Sequence, residues 1–245
     1  MTLLGLILLS IGGGDLLRVL LPRRAGSLLR IVLLAGFSLV VLVAGGIRCS
    51  VPAWGILLGL VAAAFWFCTV RIGPPLPPHR LIRTPRVQAV LVIGFLLITA
   101  AAVLLAQLSG SAAAAAAHHT LGGLPLQTAV LGAGVAAFLG VSSNGLVRAA
   151  LRQDGSHPWE QAASNAHQLK GGRWIGPLER ITLTGLLVAG AYPVAAGLIA
   201  AKGIVRFPEI QADQANGNKA EYFLVGSFVS WTLAILAAGL LMAAQ

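Results

Sequence analysis

Asp15 stands inside an apolar stretch, directly after Gly12-Gly13-Gly14 and three residues before Arg18. A carboxylate at membrane depth costs about 2.5–3.5 kcal/mol on insertion scales, and such groups commonly serve a proton, an ion or a substrate. The three glycines weaken the helix and let another backbone or an ion come close. The same spacing suits a structural pair, in which Arg18 one turn on neutralises Asp15 while reaching for the inner surface. A second feature is Pro193, expected midway along the sixth apolar stretch, where a proline removes a backbone hydrogen bond and kinks the helix. Asp15, Arg18 and Pro193 are thus the candidate residues of a substrate or ion pathway.

A second constellation opens that sixth stretch, in Lys170-Gly-Gly-Arg-Trp-Ile-Gly-Pro-Leu-Glu-Arg180. Glu179 and Arg180 fall near a helix start, where acids are stabilised, and Trp174 suits the membrane–water interface. At the far end Lys202, Arg206 and Glu209 are expected to face Lys219 and Glu221 across a turn. Charge pairs there would staple the last two spans together. The other reading is contact with lipid headgroups or a partner, through Arg173, Glu179, Arg180, Lys202, Arg206, Glu209 and Glu221.

The usual enzyme constellations are missing from the sequence. His79, His118, His119, His157 and His167 make no His-Glu-x-x-His zinc motif. Asp154, His157, Glu160 and His167 share one loop, but their spacing puts no trio on one helical face. Three aspartates, Asp15, Asp154 and Asp213, are too few and too scattered to cluster around magnesium. There is no phosphate-binding P-loop. No catalytic residue, cofactor or metal is therefore assigned. Ser142-Ser143-Asn144 is polar enough to line a pore or to bond a neighbouring helix, and packing is the simpler reading.

These residues must be positioned by an unusual chain. Of 245 residues, 57% are hydrophobic and only 10% charged, and the mean hydropathy is +0.87. Soluble proteins average about 25% charged, so a soluble globular enzyme, a disordered chain and a coiled coil are excluded. The net charge of +10 would suggest nucleic acid in a soluble chain. Here the basic residues flank apolar segments and signal orientation and attraction to anionic lipid headgroups; no nucleic-acid partner is expected. Cys49 and Cys68 are too few for a disulfide framework.

A helix crosses a bilayer with about 20 apolar residues. Seven stretches qualify, at about 2–21, 29–47, 52–72, 87–109, 122–147, 178–203 and 221–243. The first lacks a basic leader and a small-residue cleavage site, and Arg23-Arg24 follow it, so it is expected to be retained. With the N-terminus outside, twelve of the 17 Lys and Arg lie at inner ends and Arg48, Lys202, Arg206 and Lys219 at outer ones. The positive-inside rule favours that orientation and a cytoplasmic C-terminus. The last outer loop, with three of those four charges, fits it worst.

Between the spans, residues 73–86 are Pro-rich and basic and read as a stiff cytoplasmic connector. Ala112 to Ala117 is low in complexity, and 152–177 reads as a cytoplasmic loop with a short surface helix begun at Pro158. Small residues four apart predict close helix packing: Gly55, Gly59 and Ala63; Gly132, Ala136 and Gly140; Gly185 and Ala189; Gly197 and Ala201; Gly226, Ser230 and Ala234. The reading is an all-α, polytopic transmembrane bundle, divided into 1–151, the loop 152–177 and a C-terminal hairpin 178–245.

Three ordered pieces of the C-terminal part carry a likeness: Gly172-Arg-Trp-Ile-Gly-Pro-Leu-Glu-Arg180, Ala201-Lys-Gly-Ile-Val-Arg-Phe-Pro-Glu209 and Lys219-Ala-Glu-Tyr-Phe-Leu-Val-Gly-Ser-Phe-Val-Ser230. Together this part resembles the C-terminal helical hairpin of a family of uncharacterised bacterial integral membrane proteins. Many members carry a His-x-x-x-Asp-type motif in a different N-terminal half, which this chain lacks. The resemblance implies a bacterial inner-membrane protein and supplies no reaction. The expectation is a non-catalytic membrane component that assembles with itself or a membrane partner. The alternatives are a small transporter or channel with Asp15 in its pathway, and an enzyme acting on a lipid-linked substrate near Arg173, Glu179 and Arg180.

Overall fold

The computed structural model describes residues 1–21, 26–70, 120–121, 124–151, 172–211 and 218–244. The expected span at 87–109, the connector 73–86, the alanine run and the surface helix after Pro158 lie outside these. The described residues are helical apart from short turns and one bridge. In chain order the helices are α1 (Thr2–Leu20), α2 (Ser27–Arg48) and α3 (Ala53–Thr69). Next comes α4, built from Leu126–Ala137, a π-helical turn Phe138–Ser142 and Ser143–Leu151. The last three are α5 (Gly172–Val188), α6 (Tyr192–Gln211) and α7 (Asn218–Met242). Two-residue strands β1 (Thr120–Leu121) and β2 (Leu124–Pro125) pair antiparallel before α4. Among the described residues, four helices are long and apolar enough to cross a membrane: Thr2–Leu20, Leu28–Arg48, Leu126–Arg148 and Phe223–Met242. Ala53–Thr69 and Tyr192–Val205 are shorter apolar helices.

Local chemistry places the helix ends. Leu21 precedes Pro22, whose ring bars the preceding residue from helical geometry, and Leu21 is extended at φ −66°, ψ 132°. Beyond α2, Ser50 adopts a left-handed φ of 53°, Val51 N–H bonds the Gly46 carbonyl at 2.8 Å, and Pro52 opens α3.

The chain forms two compact units, Met1–Gly145 with Ala243–Gln245, and Leu146–Met242. In the first, α1 is the central helix. Leu3 and Ile7 lie against Gly55 and Gly59, so α1 and α3 run parallel, as the small-residue series in α3 predicts. Gly45 meets Leu6 and Gly13 meets Phe37, which makes α2 antiparallel to α1. Gly5 meets Leu131 and Gly12 meets Ala137, so α4 is parallel to α1. At this crossing Gly134 sits on the Gly5 carbonyl, an approach that no Cβ would permit. The series expected in α4 is not the contact face: Gly132 and Gly140 have open space where a Cβ would be.

In the second unit the single span expected at 178–203 is corrected to two helices. At the end of α5, Gly190 takes a φ of +72°. Its N–H bonds the Leu187 carbonyl at 3.1 Å and the Ala191 N–H bonds that of Leu186 at 2.9 Å. This is the paired arrangement that terminates a helix on a left-handed glycine. The chain then reverses: Lys202 of α6 lies 2.7 Å from Glu179 of α5, and Leu183, Ala195 and Ala234 share one core. Pro193 is the second residue of α6, not a mid-helix kink. A proline fits there because first-turn N–H groups have no helical partner. The C-terminal part is a three-helix unit, with α7 parallel to α5 through Arg180 with Ser230 and Thr184 with Ala234.

Candidate functional site

Asp15 is fully buried, and its carboxylate holds three helices. On Oδ2 it accepts the Trp66 Nε1–H from α3 at 2.8 Å and the Ser142 hydroxyl from α4 at 2.6 Å. On Oδ1 it takes Arg18 Nη1 at 3.3 Å, the i,i+3 pair expected. Buried charge is tolerated in apolar surroundings when both carboxylate oxygens are engaged in this way.

Arg18 does more than neutralise Asp15. Its Nη1 donates to the Val70 carbonyl at 3.0 Å and its Nη2 to that of Phe67 at 2.6 Å. Both carbonyls are at the C-terminal end of α3, where the helix leaves acceptors unpaired and favours a cation. The guanidinium also stands 4.6 Å from the centre of the Phe67 ring. Gly14 allows this ring to approach, since a Cβ there would collide with it.

Ser142 reaches Asp15 from the closing residue of the π-helical turn. Phe138 opens that turn, 5.5 Å ring to ring from Trp66. The extra residue widens the helix, and its neighbour Ser143 bonds back to the Leu139 carbonyl at 2.7 Å. Trp66 and Ser142 are hydrogen-bond partners of Asp15 that the sequence reading did not connect to it. The signal was a carboxylate with more acceptor capacity than Arg18 alone fills, among apolar helices that also carry an indole and a serine pair.

A second polar cluster lies within the second unit. Glu179 Oε2 pairs with Lys202 Nζ at 2.7 Å, and its Oε1 accepts Trp231 Nε1–H at 3.1 Å. Lys202 Nζ is also 5.7 Å from the Trp231 ring centre and 5.9 Å from that of Phe223. Arg180, 2% exposed, donates to Ser230 Oγ at 3.3 Å. Lys202 was expected to face Lys219 and Glu221; the reversal at Gly190 gives it Glu179 instead. Glu179 and Arg180 are turned inward, whereas Trp174 is exposed near the start of α5. The side chains of Arg173, Arg206, Glu209 and Glu221 lie outside the described residues. Pro193 is remote in sequence from Asp15 and belongs to the other unit.

No protein-family model, curated protein or solved structure matches the chain. The clusters must therefore speak through their own geometry. Among the described residues, no three His, Cys, Asp or Glu side chains converge to hold a metal. Both clusters join carboxylates to cations and indole N–H groups on neighbouring helices, which is chemistry for fastening helices together.

Proposed function

We propose that the chain is a multi-pass integral membrane component without a catalytic centre of its own, acting by assembly with itself or with a membrane partner. One observation carries this reading. Among the described residues several polar groups are buried between helices, while many large apolar side chains face outward. Asp15, Ser142, Arg180, Thr184, Ser227 and Ser230 are all buried, while Leu28, Val32, Ile47, Val194, Ile204 and Leu236 are more than half exposed. That is the polarity of a bundle solvated by lipid, where polar side chains act as glue between helices. Asp15 has no exposed surface, so its engaged carboxylate favours a structural lock over an open pathway.

The resemblance of the C-terminal part to bacterial integral membrane proteins supports a bacterial inner membrane. The N-terminus is placed outside, and the basic inner loops meet anionic lipid headgroups. In the test, chemical crosslinking in native membranes followed by purification should recover the chain in a defined homo-oligomer or with one membrane partner. The purified protein in liposomes should show no pH- or ion-dependent flux. A flux that disappears in Asp15→Asn, with the fold intact, would replace this reading with the transporter, which an ionisable residue at membrane depth favours.

A further inference from the structure

In the first unit, Thr128 Oγ at the start of α4 donates to the carbonyl of Ala244, just past the end of α7, at 3.1 Å. Because α4 runs parallel to α1, with Gly5 on Leu131 and Asp15 on Ser142, Thr128 stands level with the first turn of α1. The chain therefore finishes at the end of the unit where it began. A second observation comes from the other unit. There Leu151 at the end of α4 lies against Gly226 of α7, while α5 and α6 fold back to back and α7 runs parallel to α5. So α4 ends where α5 and α7 begin.

We infer that, given the membrane reading above, the chain returns at Ala244 to the side on which α1 begins, the outer side. This arrangement replaces the cytoplasmic C-terminus expected from the sequence. In the first unit α3 and α4 are both parallel to α1, and in the second α5 and α6 are two helices where one span was expected.

The charges agree independently. In the seven-span arrangement Arg48, Lys202, Arg206 and Lys219 occupied outer ends. With the hairpin, Arg206 and Lys219 pass to the inner side, and Lys202 joins Arg18 and Arg180 within the helices. Arg48 is left as the one basic residue at an outer end, and the hairpin tip, Val188 to Pro193, carries no charge. The positive-inside bias thus sharpens where it had been weakest. α5 is short, 17 residues or about 25 Å at the helical rise, yet it lies alongside α7 at Ser230 and Ala234. The charges at that depth are sheltered, Arg180 being 2% exposed and Glu179 paired to Lys202.

The test uses the full chain in cells and two independent readouts. Alkaline phosphatase fused after Gln245 should be active and green fluorescent protein at the same place dark. In a Cys49→Ser, Cys68→Ser background, Ala189→Cys should be labelled by an impermeant maleimide in intact cells, and Ser156→Cys only after permeabilisation. A bright C-terminal fluorescent fusion, or an Ala189→Cys chain labelled only after permeabilisation, overturns this arrangement while the protein remains in the membrane. Release by alkaline carbonate would instead overturn the membrane reading itself, and this proposal with it.

Discussion

Ser142 Oγ, on the closing residue of the π-helical turn, donates to Asp15 Oδ2 at 2.6 Å, and Trp66 Nε1 donates to the same oxygen at 2.8 Å. One carboxylate thereby ties α4 and α3 to α1, with Arg18 closing the set on Oδ1. Replacing it with Asp15→Leu would take their shared acceptor from an indole N–H and a hydroxyl, and the counter-charge from a guanidinium that keeps only the Val70 and Phe67 carbonyls. The expected loss is about 3 kcal/mol, against about 1–2 kcal/mol for Asp15→Asn, which keeps one acceptor oxygen. Reversible unfolding in mixed micelles measures both. A Leu variant as stable as the native chain would remove the carboxylate from its proposed role.

Trp66→Phe keeps a ring beside Phe138 but deletes one donor, and Ser142→Ala deletes the other. Each should cost about 1 kcal/mol, in the range of hydrogen bonds between membrane helices. Because both donors share one oxygen, the double variant should depart from the sum of the single ones by about 0.5 kcal/mol or more. Strict additivity would mean that the two bonds are independent.

Two glycines two residues apart in α4 should respond in opposite ways. A Cβ at Gly134 falls on the Gly5 carbonyl and near the Leu9 amide, whereas one at Gly132 meets nothing within 4 Å. Gly134→Ala should force α1 and α4 apart and cost about 1–3 kcal/mol. Gly132→Ala should be neutral or slightly stabilising, since alanine is the better helix former by about 1 kcal/mol. Melting temperatures of the purified variants decide it.

The reversal between α5 and α6 makes its own prediction. Gly190→Ala places a Cβ in a left-handed conformation and should cost about 1 kcal/mol. Pro193→Ala touches only the first turn of α6 and should change stability by less than about 0.5 kcal/mol. A kinked continuous helix predicts the reverse order. The same thermal unfolding series distinguishes them.

Across that hairpin, Glu179→Gln and Lys202→Met should each destabilise by about 2 kcal/mol, because each strands a charge that the other was pairing. The double variant should lose less than the sum, and the coupling energy from the cycle should be about 1 kcal/mol. An uncoupled pair would show that the 2.7 Å contact contributes nothing to holding α5 on α6.

Much of this was readable without coordinates. The solvent of a helix is written in its composition, so the apolar lengths of α1, α2, α4 and α7 were plain, as were Asp15 as an anomaly, its i,i+3 partner Arg18, and the packing face of α3 at Gly55 and Gly59. The break at Gly190 also had a signal, a glycine with a proline three residues on. It was hidden because the turn is as apolar as the helices it joins, and a hydropathy count runs straight through Ala189-Gly190-Ala191. What tertiary structure alone decided is which distant groups meet. Trp66 and Ser142 find Asp15 from helices remote in the chain, Glu179 takes Lys202 rather than leaving it to Glu221, and Ala244 returns to Thr128. Apolar helices in lipid gain little from which neighbour they choose, so that choice rests on backbone fit at glycines and on a few buried polar bonds, and neither has a period that a sequence displays.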